Sequence, residues 1–301
     1  MTNAVLLGVD LGGTKTEIIA LDASGEKLLR ARRATPADDY MAILDTITAM
    51  VTETERQLGA RGTVGIGTPG ALSPASGLLR NANTVCLNGK PLKTDLEARL
   101  GRPIRLANDA NCFALSEASD GAAAGASVVF GVIIGTGAGA GIVVNGRVLN
   151  GRNAIAGEWG HNPLPWPNDD ERPGPDCYCG RHGCIETWLS GPGMRRDHKN
   201  IASESLEPAR IVRGATRDAA RAATLDRYID RLSRALAHVI NLLDPDVIVL
   251  GGGMGNIDAL YEQVPERWRQ WVFSDVVATR LARPTHGDSS GVRGAAWLWK
   301  A

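Results

Sequence analysis

One arrangement of strands and glycine turns is written twice in this chain, and the repetition restricts the fold more than any other feature. The first copy reads AVLLGVDLGGTKTEIIALDASGEKLLRARRATP and the second reads SVVFGVIIGTGAGAGIVVNGRVLNG. Each segment is predicted to form a strand, a glycine turn, a second strand, another turn that contains glycine, and a third strand. The sequence therefore predicts two three-stranded meanders.

Helices and further strands are predicted after each meander. The first is followed by the helical DDYMAILDTITAMVTETERQLG, the strand TVGIGTPG, the helix TDLEARLG, the strand PIRLAND and the helix ANCFALSEASDGAAAG. The second is followed by the helical TLDRYIDRLSRALAHVINLLDP, the buried strand DVIVLGGG, a helix, the segment VVATRLAR and the closing helix GVRGAAWLWK. The simplest architecture is two copies of a mixed βββαβαβα unit, with ligands in the cleft between them. We place an insertion in the second copy, from residue 151 to about 223.

The balance of charge and hydropathy argues against two classes of partner. Lysine plus arginine equals aspartate plus glutamate at 33 each, and no basic stripe stands out, so we expect no nucleic-acid partner. The amino terminus has no basic segment before its apolar run, so we expect no signal peptide and a cytoplasmic protein. The longest apolar run, Val128 to Val144, is short for a membrane span and rich in glycine, so we expect buried strands and no membrane partner.

Three of the five cysteines lie within eight residues, in the segment DCYCGRHGCIE. A lasting disulfide is disfavoured in a reducing cytosol, and the C-x-C-x4-C spacing on a tight turn favours thiolate ligands for a metal, with a redox pair as the alternative. Cys177, Cys179 and Cys184 with the upstream His161 would complete a closed, four-ligand zinc site. His182 is the rival fourth ligand, but it lies inside the turn, where folding back onto the same metal would be strained.

Glycine-rich segments follow the first strand of each meander. DLGGTKT combines Asp10, which can hold Mg²⁺ directly or through water, with backbone N–H groups that can approach phosphate oxygens. It is not a P-loop, because G-x-x-x-x-G-K-[ST] is absent and a strand follows where a helix is needed; an ordinary hairpin turn is the alternative. IGTGAGAG is the equivalent turn of the second copy, and the two could hold one polyphosphate from both sides. LGGGMGN adds bare backbone after a buried strand, where an adenine could lie against glycine.

Carboxylates stand at three further positions that suit chemistry. Asp109, in LANDAN, follows a strand, where it could accept the proton of a substrate hydroxyl that attacks phosphorus. A helix N-cap is the alternative, and both Asn108 and Asp109 are suited to it. Glu158 and Glu186 flank the cysteine segment, an arrangement suited to placing two carboxylates around a polyol.

Together these motifs resemble those of the ROK family of bacterial sugar kinases and repressors, within the superfamily of sugar kinases, Hsp70 and actin. The matching segments are DLGGTKT, GIGTPG, NDAN, GTGAGAG, EWGH, CYCGRHGCIETWLSG and LGGG. The resemblance implies an α/β fold of two duplicated actin-like (ribonuclease H-like) ATPase domains with a cleft between them. We expect an N-terminal domain at residues 1–110, to which a helix at about 289–301 returns, and a C-terminal domain at 111–288 with a zinc-binding insertion at about 151–223.

The resemblance also implies a role for individual residues. Asp109 would be the catalytic base, and the sugar hydroxyls would be bound by Asn83, Asn108, Glu158, His161 and Glu186. The residues implied to bind ATP are Asp10, Gly12, Gly13, Thr14, Lys15, Gly135, Thr136, Gly137, Gly139, Gly252 and Gly253. The ligands implied for a structural zinc are His161, Cys177, Cys179 and Cys184.

The implied activity is the Mg²⁺-dependent transfer of the γ-phosphate of ATP to a primary hydroxyl of a hexose. The long loop NPLPWPNDDERPGPD and the ending HGDSSGVRGAAWLW look most like the fructokinase and mannokinase subgroup, so fructose, with mannose as a second candidate, is the expected sugar. Glucokinase or N-acetylglucosamine kinase is the alternative. A sugar-responsive regulator is less favoured, because VLLGVDLGG begins at residue 5 and leaves no room for a helix-turn-helix domain. A protein-directed ATPase is disfavoured by the sugar and zinc motifs, and a homodimer is expected from the family.

Overall fold

The computed structural model describes residues 5–300. The start of the predicted first domain, at residues 1–4, and the end of the predicted closing helix, at residue 301, lie outside the described residues. Within this range the strands are β1 (Leu6–Leu11), β2 (Lys15–Leu21), β3 (Lys27–Ala34), β4 (Thr63–Thr68), β5 (Ala71–Leu72), β6 (Leu79–Arg80), β7 (Ile104–Asn108), β8 (Val128–Ile134), β9 (Ala138–Val144), β10 (Arg147–Val148), β11 (Val247–Gly251) and β12 (Arg280–Ala282). The α-helices are α1 (Tyr40–Leu58), α2 (Leu92–Leu100), α3 (Asp109–Asp120), α4 (Ile185–Leu189), α5 (Gly191–Ala202), α6 (Pro208–Gly214), α7 (Ala219–Leu243), α8 (Ala259–Trp268) and α9 (Ser290–Trp297). Over residues 5–300, every helix is too short or too polar to span a bilayer.

Two five-stranded sheets share one order of strands. The first runs β3-β2-β1-β4-β7 and the second runs β10-β9-β8-β11-β12. In the first, β1 pairs antiparallel with β2 and parallel with β4. In the second, β10 pairs antiparallel with β9, and β8 pairs parallel with β11. The duplicated α/β fold that the two meanders predict is therefore confirmed.

The chain separates into two compact units. Among the described residues, the first unit holds those up to Gly125, Gly141–Ala156 and those from Thr285 on, and the second holds Ala126–Ala140 and Gly157–Pro284. Helices α3 and α9 thus belong to the same unit. The domain boundaries given from the sequence, at residues 110 and 288, remain predictions.

Helix α1 begins and ends where local chemistry dictates. The Asp39 carboxylate accepts a hydrogen bond from the Ala42 amide at 3.1 Å, which satisfies one of the free N–H groups of the first turn. Gly59 ends the helix in the left-handed conformation, with a φ of 63°. The predicted apolar face is buried through Ile43, Leu44, Ile47, Met50 and Val51. This face covers the first sheet and contributes to its core.

Helix α9 lies directly on the strands β1 and β4, because glycine occupies the contact positions. A Cβ atom built on Gly8 would lie 2.1 Å from the Val292 carbonyl oxygen, and one on Gly65 would lie 1.9 Å from that of Ala295. No side chain fits at either position. The last helix of the chain therefore completes the core of the first unit, beside the strand that carries Asp10.

A buried carboxylate fixes the segment that leads into α9. Glu117 of α3 is fully buried and accepts hydrogen bonds from the amides of Ala122 at 2.9 Å and Thr285 at 3.0 Å, and from the Ser290 hydroxyl at 2.7 Å. A buried charge is tolerated when such donors replace its hydration. The contacts join α3 to the start of α9, so they also position the first residue of α3, Asp109.

Helix α7 of the second unit buries two arginines that the apolar pattern did not predict. The guanidinium groups of Arg231 and Arg234 both donate to the Glu171 carboxylate, at 2.7 and 2.9 Å. All three side chains are at most 4% exposed. The predicted apolar face is present alongside them in Ile229, Leu232, Leu236, Val239 and Ile240. The ion pairs tie the long loop before the cysteine segment to α7.

Two strands are shorter than the sequence predicts. The third strand of the second meander is only the two residues of β10, and VVATRLAR contributes only the three residues of β12. Both lie at the edges of the second sheet, where a strand has a single neighbour to pair with. The residues before β12 are held instead by other contacts, including the Thr279 hydroxyl, which donates to the Pro245 carbonyl oxygen at 2.8 Å.

Candidate active site and metal centre

The junction of β7 and α3 presents Asn108 and Asp109. The Asn108 side chain is the N-cap of α3: its Oδ1 accepts from the Ala110 amide at 2.8 Å, and its Nδ2 donates to the Gly70 carbonyl oxygen at 3.3 Å. Asp109 is the first helical residue, and its side chain keeps solvent-accessible surface. The sequence left open which residue caps the helix. The structure gives the N-cap position to Asn108, while Asp109 Oδ1 accepts from the same Ala110 amide at 2.8 Å, which leaves Asp109 Oδ2 available for chemistry.

Asp109 and Asp10 form an electrostatically strained pair in the first unit. Burial raises the pKa of Asp10 to about 6, and the carboxylates of Asp109 and Glu17 add to this effect. The pKa of Asp109 is also raised, because the surrounding atoms desolvate the carboxylate more than the Ala110 amide and the Asn108 side chain stabilise it. Neighbouring carboxylates of this kind are suited to a divalent cation with oxygen ligands, such as Mg²⁺.

The first glycine turn joins β1 to β2 and leaves backbone exposed. Its conformation is fixed by the Gly12 amide, which donates to the Lys15 carbonyl oxygen at 3.1 Å, and by the Thr35 hydroxyl, which donates to the Gly12 carbonyl oxygen at 2.8 Å. Gly13, Thr14 and Lys15 are exposed. The turn therefore holds its shape through its own contacts while three successive residues face solvent.

Two loop residues lie close to this turn. The Thr84 hydroxyl is buried and has no hydrogen-bond partner among residues 5–300, and it lies 3.7 Å from the position of a Cβ on Gly13. The preceding residue, Asn83, is exposed. The sequence singled out Asn83 but not Thr84, because a threonine in a loop carries no signal of its own. An unsatisfied buried hydroxyl beside an exposed turn is a ready partner for a ligand.

The second glycine turn, between β8 and β9, carries a carboxylate against its backbone. The Gly135 amide closes the turn on the Gly137 carbonyl oxygen at 2.9 Å. Glu186, the second residue of α4, accepts a hydrogen bond from the Ala138 amide at 2.9 Å. A Cβ on Gly137 would lie 2.6 Å from the same carboxylate oxygen, so a larger residue there would displace the Glu186 side chain from this hydrogen bond. The structure thus brings together a predicted phosphate turn, whose Thr136 is exposed, and a predicted sugar ligand.

The segment EWGH is anchored on the same turn. Trp159–His161 form a short 3-10 helix, and a Cβ on Gly160 would lie 2.0 Å from the Ala138 carbonyl oxygen. This contact places Glu158, which is exposed, and His161 near Glu186. Three predicted sugar ligands of the second unit therefore lie together.

Tyr178 joins this group, although the sequence gave no reason to single it out. Its hydroxyl lies 2.8 Å from His161 Nε2, and the two rings pack edge to face. Burial raises the pKa of Tyr178 to about 12, and the Glu186 and Glu158 carboxylates contribute to the shift. Tyr178 lies between Cys177 and Cys179, and no residue pattern indicates a functional role for a tyrosine at that position. Its ring and hydroxyl nevertheless lie among the predicted sugar ligands.

A cavity of about 930 Å³ opens beside the third glycine segment. Gly252, with a φ of 77°, approaches the Ile134 carbonyl oxygen so closely that a Cβ would lie 2.3 Å away. Gly253 has open space where a side chain would stand, and it lines the cavity. Asn256, the last residue of LGGGMGN, also lines it, and the other walls come from α6, the start of α7 and α8, including Val212, Arg213 and Gln263. The residues from these helices lie outside that segment, so no motif revealed them.

The cysteine segment and His161 form a four-donor cluster. The three sulfur atoms and the His161 ring nitrogen all lie within 4.8 Å of one another. Cys179 Sγ lies 3.7 Å from Cys184 Sγ, and Cys177 Sγ lies 3.5 Å from His161 Nδ1. Tetrahedral zinc with its usual bond lengths requires S–S separations of about 3.8 Å and S–N separations of about 3.6 Å. The geometry therefore fits zinc, as the resemblance implies.

The charge of the cluster supports the same ligand set. Burial raises the pKa of the Cys184 thiol to about 12, and the neighbouring Cys179 and Cys177 sulfur atoms add to the shift. A cation reverses this cost, because it stabilises the thiolate form. The rival ligand, His182, points elsewhere, since its Nδ1 pairs with the Asp176 carboxylate at 2.7 Å. Cys86 and Cys112 stand outside the cluster.

Comparisons with known proteins identify the family. The model of the ROK family matches residues 6–301. An N-acetyl-D-glucosamine kinase of Vibrio cholerae serotype O1 is 40% identical over 296 residues, which cover 97% of this chain and 98% of that protein. A crystal structure of the ROK hexokinase from Thermus thermophilus superposes with a TM-score of 0.87 at 31% identity, covering 98% of this chain and 97% of that one.

A second solved structure, a ROK family glucokinase from Streptomyces griseus in complex with glucose and AMPPNP, gives a TM-score of 0.76 at 27% identity. It covers 98% of this chain and 99% of that one. The chain belongs to the ROK family. The sequence-based prediction of a ROK sugar kinase with an actin-like fold is confirmed.

We expect one tightly bound zinc ion per chain, and Cys179→Ser should remove it. Because the site orders the loop that it closes, loss of metal should lower the melting temperature by at least ~5 °C. Elemental analysis and thermal melting of purified protein, with Cys86→Ser as the matched control, provide the check. Zinc retained in the Cys179 variant, or absent from the unmodified protein, would contradict the assignment.

Proposed function

We propose that this protein is an ATP-dependent kinase that phosphorylates the primary hydroxyl of N-acetylglucosamine. One observation supports the chemistry: Asp109 directly follows β7 with an accessible carboxylate, while Asn108 occupies the N-cap position and both side chains accept from the Ala110 amide. The sequence relatives that are kinases of this amino sugar support the choice of substrate. They favour the alternative reading of the sequence over fructokinase.

In this proposal Asp109 accepts the proton of the sugar hydroxyl as the hydroxyl oxygen attacks the γ-phosphorus of ATP. Its raised pKa improves the carboxylate as a base, provided that it stays ionised at neutral pH. The O–P bond to the sugar forms as the bond between the γ-phosphorus and its bridging oxygen breaks, and ADP leaves. Protonated Asp109 then returns its proton to solvent.

We assign the remaining predicted residues in the same way. The sugar hydroxyls are bound by Asn83, Asn108, Glu158, His161 and Glu186. The phosphates of ATP are bound at the glycine turns by Gly12, Gly13, Thr14, Lys15, Gly135, Thr136, Gly137 and Gly139, and the nucleoside occupies the cavity beside Gly252 and Gly253. Asp10 would hold the Mg²⁺ that accompanies ATP, and zinc on the cysteine cluster would hold His161 in place through Nδ1.

A substrate screen tests the proposed function. With ATP and Mg²⁺, we expect kcat/KM for N-acetylglucosamine to exceed that for fructose, mannose, glucose and N-acetylmannosamine by at least about tenfold. A site that pairs with the equatorial acetamido group rejects sugars that lack this group and also N-acetylmannosamine, which carries it axially. A coupled assay of ADP release measures each sugar. Preference for fructose would restore the fructokinase reading, and phosphorylation of none of the sugars would refute the kinase assignment.

Asp109→Asn should lower kcat by about 10²- to 10⁴-fold, because the amide cannot accept the proton. Sugar affinity, measured by calorimetry, should change little. In the unmodified protein the acidic limb of kcat/KM should lie above the ordinary range of an aspartate, since protonation of a carboxylate with a raised pKa abolishes the base.

The matched control is Asp39→Asn, the same substitution at the N-cap of α1. Asparagine caps helices well, so this variant should keep its kcat and its melting temperature. A near-normal kcat in Asp109→Asn would rule out the general base.

We also propose that the protein forms a homodimer through one apolar surface of the second unit. Phe273 is fully exposed, and Trp166, 43% exposed, stacks on Trp271 with 5.2 Å between ring centroids. A two-fold interface brings the same surface of both copies together, and exposed aromatic rings such as those of Phe273 and Trp166 are typical of such a surface.

Light scattering tests the dimer. Phe273→Asp should halve the measured mass, because a charge buried in the interface would lose its hydration. Met41→Asp, which alters an exposed apolar residue of α1, should leave the mass unchanged. A monomeric unmodified protein, or a dimer that survives Phe273→Asp, would refute this surface.

A further inference from the structure

A second polar cavity, of about 440 Å³, lies in the second unit apart from every residue assigned above to sugar, ATP or zinc. Its walls come from the loop around Gly174, from Trp188 of α4, and from the helices α5 and α7. Three arginines line it: Arg196, Arg227 and Arg231. Two aspartates, Asp170 and Asp197, line it as well, so three positive and two negative side chains surround a volume that can admit a small molecule.

Two of the three arginines are already neutralised. Arg227 donates to one oxygen of the Asp197 carboxylate at 2.8 Å, and Arg231 donates to the other at 2.9 Å. Arg231 also pairs with Glu171 at 2.7 Å. Both carboxylate oxygens of Asp197 are thus occupied by guanidinium groups of α7. Asp197 therefore does not pair with Arg196, its neighbour in the sequence.

Arg196 differs from both. Its side chain is half-buried and donates through Nη2 to the Thr187 carbonyl oxygen, and among residues 5–300 no carboxylate lies within ion-pair distance of it. Burial lowers the pKa of Arg196; Asp197 opposes this effect and Arg231 reinforces it. Partial burial removes water from the guanidinium group, and without an anion nothing replaces that lost hydration, so the group reduces the free energy of unfolding. The remaining N–H groups of Arg196 have no acceptor among the described residues.

We infer that this cavity binds a small anion that carries a phosphate group, with Arg196 as its principal ligand. The guanidinium offers pairs of N–H donors in the fork geometry that suits phosphate oxygens. Arg227 and Asn200 line the same cavity and add donors to the anion. The volume exceeds that of a bare ion, so a phosphorylated sugar fits as well as inorganic phosphate.

Calorimetric titration of the full-length, zinc-loaded protein tests this site. Saturating N-acetylglucosamine and AMPPNP are present throughout, so that phosphate cannot report on the sites assigned to substrates. Inorganic phosphate and N-acetylglucosamine 6-phosphate are titrated separately. We expect saturable binding of at least one of them, and Arg196→Gln should weaken its Kd by at least about tenfold, because a hydrogen bond to a charged group is lost.

The matched control is Arg195→Gln. Arg195 is the preceding residue of α5, but it pairs with Glu207 at the surface, at 2.8 Å, and does not line the cavity. It should retain the affinity of the unmodified protein. Arg196→Lys keeps the charge without the fork and should bind with intermediate affinity, which also shows that the position tolerates substitution.

The outcomes separate this site from the proposed kinase activity, because binding is measured without turnover. Loss of anion binding in Arg196→Gln alone supports the site, and tighter binding of the sugar phosphate than of inorganic phosphate identifies the former as the ligand. Equal affinity in all variants, or no saturable binding of either anion, overturns the inference. A chain that failed as a kinase would still bind phosphate through Arg196.

Discussion

Contact of backbone against backbone, at positions where only glycine fits, is the constraint on which this structure depends. In the first unit, Gly65 lets the carbonyl group of Ala295 approach β4 to a distance that would exclude a side chain. In the second unit, Gly160 meets the carbonyl oxygen of Ala138 in the same manner. The first contact seats α9 on the sheet that carries Asp10. The second fixes EWGH beside the turn that Glu186 contacts. In both units, therefore, a glycine contact positions the segment that carries or adjoins the polar site residues.

Buried and half-buried carboxylates fall into two groups by the donors around them. Glu117 accepts several hydrogen bonds, and Glu171 is paired with two arginines that hold its pKa at about 2 against the opposing effect of burial. Both carboxylates find their partners within the fold, and Glu171 stabilises it as an anion. Burial raises the pKa values of Asp10 and Asp109 instead, and the donors and cations around them do not offset it. Carboxylates with raised pKa values are characteristic of functional sites, where a bound ligand or cation supplies the missing partner.

The sequence predicted features that depend on local periodicity and spacing. The two meanders, α1, α7 and the zinc ligands all follow from residues close together in the chain, and the second sheet repeats the order of the first. What it could not predict depends on packing between distant segments. Tyr178 acquires its neighbours only when the cysteine turn folds against EWGH, and Arg234 is buried only because Glu171 comes from a remote loop. The short β10 and β12 reflect edge positions, which a residue pattern does not reveal.

The placement of α9 has a consequence for how the chain is made. The first unit contains the opening meander of the sequence and also the residues from Thr285 onward, whose amide and helix are held by Glu117 and by the glycines of β1 and β4. During synthesis the second unit can emerge whole before the first has its last helix. Since domains fold as units once their contacts are available, the part of the protein that is translated first is the part that finishes folding last. Until then β1 and β4 keep an uncovered strip of backbone where α9 will lie, and this strip stays exposed until α9 has left the ribosome.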